Sequence, residues 1–517
     1  MTIDVIDLFA GPGGLAEGFA SLDEGRVFKI AVSVEMEASA HQTLTLRSFY
    51  RHVRGEAAGE RAYYAFCNDA AAPHPRDAVP NVWKEAEAEA RQLTLGESRD
   101  NATLNAILDS KRLPPDRTVV IGGPPCQAYS LVGRSKNMGT IGYVAAEDKR
   151  HFLYREYLRI LHKVQPAVFV MENVKGILSS RVGDRRVVHD ILRDLTHPGK
   201  ALRRSVNKQG EGYRIYSLVA PTCFQTDMNP SEINVNDFII RAEHYGVPQA
   251  RHRVILLGVR EDLHLPYLAP LTTTKPITVY DAISELPPLR SRLSAGDDAG
   301  KWQKTVAALI AELAADAKRT GQNDLSANLK IGALALSSAL PTGGLRVKRE
   351  DTSAIPSDYS SWVHDDRLDI WLNHEARSHM ASDLGRYFYA AVFAEMNGRS
   401  PKGHADFMLN GLAPDHANWL TGKFEDRFRV QRNGAPSTTV TSHIAKDGHY
   451  FIHPDPAQCR SLTVREAARL QSFPDNYFFQ GNRTQQYHQV GNAVPCVLAR
   501  SIAQSVAGIL SSSNCRS

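Results

Sequence analysis

The short apolar run Thr118-Val119-Val120-Ile121-Gly122 passes directly into Gly123-Pro124-Pro125-Cys126-Gln127. A run of that length bounded by turn residues reads as a buried strand. Two glycines permit close backbone approach, and two prolines fix the turn that follows. Strands buried on both faces belong to open α/β sheets, whose carboxyl ends are where ligands sit. Cys126 is delivered to such an end. A thiol there can attack an electron-poor carbon if its neighbours favour the thiolate, whereas an isolated cysteine is ordinarily a structural one.

The rest of the first half supplies the companion elements. Val5-Ile6-Asp7-Leu8-Phe9 reads as a strand, followed by a glycine turn and a helix over 14–22. Residues 28–35 read as a second strand, 37–49 as a helix and 63–67 as a third strand. Strands at 119–122 and 167–171 flank a helical stretch over 148–163. The alternation predicts a doubly wound, mostly parallel sheet. The Ala-, Glu- and Pro-rich segment 70–116 reads as a surface insertion carrying a helix at 82–92. After a strand at 253–258 the regularity stops. Residues 266–457 are mixed, with helices over 302–319 and 376–396 and short alternating strands at 427–432 and 438–443. This predicts a second domain, 266–457, inserted into a first one formed by 1–265 and 458–517.

Composition sets the remaining bounds. A chain of 517 residues exceeds one ordinary core, and 43% hydrophobic with 23% charged residues is a globular balance. No apolar run reaches membrane-spanning length by this reading, and Met1-Thr2-Ile3-Asp4 enters a strand without a basic leader. A cytoplasmic protein without a membrane partner is the expectation. The cysteines at 67, 126, 223, 459, 496 and 515 form no Cys-x-x-Cys pair, and His374 and His379 lack a metal spacing on one helical face. Neither a disulfide framework nor a metal is expected. The net charge of +5 permits a polyanionic partner without requiring one.

Gly11, Gly13 and Ala16 satisfy a dinucleotide-type fingerprint after the first strand, and Glu35 ends the second strand where a ribose-binding acid belongs. On these residues a nicotinamide enzyme and a methyltransferase fit equally. Three further groups bear on the reacting centre. Met171-Glu172-Asn173-Val174 closes the fifth strand, and Gln249-Ala250-Arg251-His252-Arg253 opens the next with Arg251 and Arg253 at a period of two. Arg465-Glu466-Ala467-Ala468-Arg469-Leu470-Gln471-Ser472-Phe473-Pro474 and Gln489-Val490-Gly491-Asn492-Ala493-Val494-Pro495 lie near the end.

In this order, Pro-Cys-Gln, Glu-Asn-Val, Gln-x-Arg-x-Arg and Gly-Asn-Ala-Val resemble the DNA cytosine-5 methyltransferase family over residues 3–260 and 460–509. The resemblance implies a Rossmann-like methyltransferase sheet with an inserted target-recognition domain, S-adenosylmethionine as cofactor and double-stranded DNA as substrate. Cys126 would add to C6 of cytosine, and Glu172 would hold N3 and the amino group. Arg251 and Arg253 would hold the base oxygen and a nearby phosphate. The implied cofactor pocket is Phe9, Gly11, Gly13, Gly14, Leu15, Glu35, Met36, Pro125, Leu153 and Asn492, with Asp69 as the adenine-binding acid after the third strand. Segment 128–147 would close over an extruded base, with Ser130, Arg134 and Lys136 reaching the DNA backbone. Within the recognition domain Arg427, Arg429, Thr439, Thr441 and His443 are the candidate DNA contacts. A restriction–modification or phage-defence setting, a cognate restriction complex and a monomer on DNA complete the expectation. A tRNA methyltransferase of the same fold would carry a shorter middle domain. A nicotinamide oxidoreductase leaves Cys126 and Glu172 unexplained, and a non-catalytic DNA-binding relative would not need them.

Overall fold

The apolar runs become the centre of one mixed sheet. A computed structural model describes residues 2–125, 153–182, 184–202, 212–265, 267–350, 358–415, 419 and 426–514. β1 (Ile3–Leu8), α1 (Gly14–Ala20), β2 (Phe28–Glu35) and α2 (Ala38–Val53) come first. α3 (Ala57–Asn68), α4 (Pro80–Glu89), β3 (Ala90–Gln92) and α5 (Ser98–Lys111) lead to β4 (Thr118–Gly122). Next are α6 (Leu153–Val164), β5 (Val168–Val174), the hairpin β6 (Arg181–Val182) and β7 (Arg185–Arg186), and α7 (Val187–Thr196). β8 (Tyr213–Tyr216), β9 (Cys223–Phe224), β10 (Ile239–Arg241), β11 (Gln249–Ala250) and β12 (His252–Arg260) follow. The later chain contributes α8 (Ala299–Arg319), α9 (Asn323–Ala333), β13 (Gly343–Lys348), β14 (Ile370–Glu375), α10 (Ala381–Asn397) and β15 (Ser437–Thr438). It ends with α11 (Val464–Leu470), α12 (Arg483–Asn492) and α13 (Cys496–Asn514).

Among the described residues nine strands form the main sheet, in the order β3-β2-β1-β4-β5-β12-β8-β9 with β10 beside β12. β3 to β5 are parallel, whereas β12 runs antiparallel to β5 and β8. Strand order reverses between β1 and β4, so their carboxyl ends open the crevice in which such sheets bind ligands. Alternation of side chains explains the two covering layers. Val5, Ile30 and Val119 share a core with Phe19 of α1 and Leu498 and Ile502 of α13. Ile6, Leu8 and Val120 share another with Leu104 of α5, Leu161 of α6 and Leu192 of α7.

Several expectations are corrected. Residues 63–67 lie in α3, not in a strand: the buried residues Gly59, Tyr63, Tyr64 and Cys67 make a helical stripe. The third strand is instead β3, inside the supposed surface insertion, and α5 from that same segment packs Leu104 and Leu108 into the core. β3 is three residues long with one buried side chain, so no apolar run announces it. Residues 427–432 are not a strand either. Phe428 and Val430 are buried against α8–α10, and Val430 makes a single bridge to Ile452. Residues 438–443 form only β15 and a 3-10 turn, Ser442–Ala445.

The middle region divides between cores. Trp302, Ile310, Leu329 and Phe388 form a centre around α8, α9 and α10. Tyr359, Trp371, Val440 and Ile444 pack instead with α11 and α12, and Leu368 and Ile370 pack with Tyr63 and Trp83. The span Arg483–Ser512 is, by length and composition, apolar enough to cross a membrane, contrary to the expectation. Over half of its apolar window is buried, and α13 supplies the core facing α1.

His374 and His453 are buried beside the Arg460–Glu466 pair. Burial pushes each imidazole down to about 4, outweighing the attraction of Glu466. Unfolding therefore takes up protons between roughly pH 6.5 and 4, so stability should fall as pH drops through that window. His374→Gln and His453→Gln should each flatten this part of the curve in denaturant titrations at stepped pH. An unchanged slope in both variants would count against it.

Candidate active site and cofactor crevice

At the end of β1 the chain turns sharply. Phe9, Gly11 and Gly13 have φ of 58°, 57° and 99°. The left-handed region is uncommon for a residue with a side chain, and such strain collects at functional sites. A Cβ on Gly13 would lie 2.8 Å from Leu44 Cδ1, and one on Gly14 would lie 2.3 Å from the Val494 carbonyl oxygen. Over Gly11 the space is open. The α12–α13 turn carrying the exposed Asn492 thus rests on the start of α1, while Leu15 is buried in the core behind it.

Glu35, at the end of β2, accepts hydrogen bonds from Gly11 N–H and Glu37 N–H, both at 2.8 Å. Burial pushes its carboxyl up, against the pull of those backbone donors. Gln92 stands opposite Glu35 in the register of β3, and its Nε2 donates to the Met36 carbonyl at 3.3 Å. The Met36 side chain is open, at 60% exposure. Gly96 lies beside Leu153: a Cβ there would be 3.8 Å from Leu153 Cδ2. Asp69 does not follow a strand. It terminates α3 and accepts from Ala71 N–H, whereas the third strand ends at Gln92.

The other end of the crevice is built on β4, β5 and β12. Arg253 Nε sits 2.9 Å from Glu172 Oε1, each side chain 14% exposed. A Cβ on Gly123 would lie 2.9 Å from Glu172 Oε2, so the turn leading through Pro124 and Pro125 closes directly on this carboxylate. Asn173 Nδ2 donates to the Pro124 carbonyl at 3.4 Å and braces that turn. Cys126, Ser130, Arg134 and Lys136 lie outside the described residues.

Arg251 makes different hydrogen bonds. The strand is interrupted between β11 and β12, and the period of two fails there. Arg251 is 2% exposed; it donates to the Val440 carbonyl at 2.7 Å and the Gly491 carbonyl at 3.4 Å. Burial, reinforced by Arg253, pushes its guanidinium well below the usual arginine range. Gln249 completes the arrangement. Its Oε1 accepts from Val440 N–H, and its Nε2 donates to the Leu470 carbonyl and Gln471 Oε1. Gln471 in turn donates to the carbonyls of Val490 and Ala493. Gln249 and Gln471 stand inside the quoted stretches Gln249–Arg253 and Arg465–Pro474; their polarity at strand and helix ends was the available signal.

The candidate DNA contacts are dispersed. Arg427 lies 3.9 Å from Asp447, and Arg429 pairs with Asp426 at 2.7 Å. Thr439 Oγ1 donates to the Ala250 carbonyl, and the backbone of Thr441 rests on Gly491. These threonines lie in the seam. His443 is exposed and stands edge-on to Tyr450.

Residues 99–199 and 232–508 match the family model for the C-5 cytosine-specific DNA methylase. The chain is 32% identical over 529 residues to the type II methyltransferase M.Bpa9945I of Bacillus paralicheniformis, covering 98% of this chain and 99% of that one. It is 26% identical over 436 residues to the DNA (cytosine-5-)-methyltransferase M.ApeKI of Aeropyrum pernix, covering 76% and 82%. A crystal structure described as a DNA modification methyltransferase encoded within an E. coli prophage shares the fold. Its TM-score is 0.54 at 19% identity, over 98% of this chain and 99% of that one.

Arg251→Ala would leave the Val440 and Gly491 carbonyls without this donor in a buried seam. A loss of roughly 2–5 kcal/mol is expected in denaturant unfolding. Arg253→Ala, at a partly solvated pair, should cost less. Equal stability of the two variants would contradict this division.

Proposed function

The chain belongs to the C-5 cytosine-specific DNA methylase family, and from that premise we propose how its residues carry the reaction. It is a DNA (cytosine-5-)-methyltransferase of the restriction–modification type. The proposed reaction is sequence-specific methylation at C5 of cytosine in double-stranded DNA, through a covalent bond between Cys126 and C6 of the base. The observation that supports it most is the Glu172–Arg253 pair closed against Gly123, immediately before Pro124, Pro125 and Cys126.

C5 of cytosine is a poor nucleophile. Addition of the Cys126 thiolate to C6 pushes an electron pair toward C5 and N3. Glu172, hydrogen-bonding N3 and the exocyclic amino group, makes the ring a better acceptor. Arg253 holds Glu172 in place and offers a charged donor to the base oxygen. Arg251 acts as a positioning residue through Val440 and Gly491. Once C5 carries its new methyl group, its proton passes to solvent, the C5–C6 double bond re-forms and the Cys126 thiolate leaves.

S-adenosylmethionine, when bound, supplies the electrophilic methyl group. The crevice suits it: open space stands over Gly11, a strand-end carboxylate adjoins it, and Met36 offers exposed apolar surface. Glu35 would take the ribose hydroxyls, Met36 and Gln92 the adenine, and Gly11, Gly13, Gly14 and Leu15 the methionine end. Phe9, Pro125, Leu153 and Asn492 would line the remainder. Segment 266–457 would read DNA sequence, with Arg427, Arg429 and His443 as contacts and Thr439 and Thr441 behind them. Ser130, Arg134 and Lys136 would meet the backbone as the base is extruded. The setting we propose is cytoplasmic protection of DNA beside a cognate restriction or phage-defence complex, by a monomer on DNA.

Cys126→Ala should abolish methyl transfer yet keep cofactor affinity. Substrate DNA with 5-fluorocytosine at the target should trap the wild-type enzyme covalently, because fluorine cannot leave C5 as a cation. Turnover by the alanine variant, or no adduct at a verified site, would refute the mechanism.

Calorimetry of the free enzyme tests the pocket. Glu35→Ala should weaken S-adenosylmethionine binding by about one to two powers of ten, and Gln92→Leu by a smaller factor. Asp69→Ala should leave binding unchanged; weakening by Asp69→Ala alone would reverse the assignment to Gln92.

A further inference from the structure

The carboxyl end of β5 carries Glu172 to the base-binding end of the crevice, and the chain continues there into an unusual hairpin. Lys175–Leu178 form a 3-10 turn anchored by the buried Ile177 and Leu178. The β6–β7 hairpin follows, its base closed by Val187 N–H donating to the Ser180 carbonyl at 3.0 Å. In its register Arg181 stands directly opposite Arg186, and Val182 opposite Arg185. All three arginines are exposed. Arg185 reaches Asp190 at 3.9 Å, whereas Arg181 and Arg186 make no ion pair among the described residues.

Like charges facing each other across a strand pair are destabilising, and a two-stranded hairpin has little else to hold it. Lys175 and Arg193 are also exposed, and within residues 175–193 the acidic residues are Asp184 and Asp190, the latter shared between Arg185 and Arg193. A cationic hairpin with this repulsion built in gains stability when an anion lies across it. Guanidinium groups match phosphate oxygens in geometry as well as charge.

We infer that the β6–β7 hairpin is a phosphate-binding element for the DNA duplex, with Arg181 and Arg186 holding backbone phosphates beside the extruded cytosine. The inference rests on the proposed reaction on DNA, and it adds a contact surface outside the recognition segment 266–457. The anchoring turn ties this surface to β5. A duplex drawn onto the hairpin is thereby brought to the strand end that carries Glu172. The contact is to backbone and is independent of base sequence.

The test needs no knowledge of the methylation site. Binding of a mixed-sequence DNA duplex is measured by fluorescence anisotropy across a salt series, for wild type, Arg181→Ala/Arg186→Ala and Arg181→Lys/Arg186→Lys. Two lost phosphate contacts should reduce the slope of log K against log salt by about 2 and weaken low-salt binding at least tenfold. The lysine variant should keep most of the slope. The alanine variant should retain S-adenosylmethionine affinity and melt no lower than wild type, because it removes an opposed pair of cations. An unchanged salt slope in the alanine variant would overturn the inference. So would a loss confined to an RNA duplex of the same length. If the wild type binds no DNA duplex at all, the proposed reaction fails first.

Discussion

The buried latch of Gln249, Arg251 and Gln471 is the contact on which the working geometry depends. Its hydrogen bonds join residues remote in sequence: Val440 of the middle region, Leu470 at the end of α11, and Val490, Gly491 and Ala493 at the α12–α13 turn. All its partners but Gln471 itself are backbone groups. The latch therefore fixes the path of the chain and tolerates variation in side chains at the joined segments. Two residues beyond Arg251, Arg253 turns to Glu172. One five-residue stretch thus sets the Glu172 carboxylate, a join to the middle region at Val440 and the turn that carries Asn492.

Close backbone packing supports the same joint from the other side. Gly14 admits the Val494 carbonyl, Gly18 admits the backbone of Ala499 and Arg500, and Gly491 admits Thr441 and Ser442. At each point a Cβ would lie within 2.6 Å of backbone atoms. No side-chain rotation could relieve such a contact. Protein interiors pack as densely as organic crystals, so these glycines hold spacing that the hydrogen bonds of the latch require. Around α11 the polar groups are equally committed. Arg460 forks onto Glu466, and Arg469 onto Asp475, at nearly complete burial. Breaking one member of such a pair costs far more than the pair contributes, which makes this region intolerant of single changes.

Legibility in the sequence followed the physics of each element. The α/β alternation was legible because β1, β2, β4, β5 and β12 are apolar runs buried on both faces. β3 was not: three residues at a sheet edge carry no periodicity, whereas the aromatic stretch 63–67 has the composition of a strand and the spacing of a helix stripe. That single misreading placed the end of the third strand near Asp69 rather than at Gln92. The pairing of Glu172 with Arg253 depended on a register across β5 and β12 that spacing alone does not contain. The separate path of Arg251 depended on a break in the strand. Residues 427–443 read as alternating strands because Phe428, Val430 and Val440 are buried, yet they belong to two different cores.

The same division separates residues fixed by the joint from residues free of it. Thr439 and Thr441 lie in the seam, the first bonded to Ala250 and the second resting on Gly491, so both are tied to the latch. Arg427 and Arg429 precede that anchor and His443 follows it, each with a partly or fully exposed side chain. A residue that anchors cannot also be exchanged freely, because its loss propagates to Arg251 and the α12–α13 turn. Residues flanking the anchor meet no such constraint. Under the proposed function, sequence reading would fall on the flanks of the seam, and backbone holding on the β6–β7 hairpin that springs from the sheet itself. The two tasks would then act on one duplex without sharing a side chain.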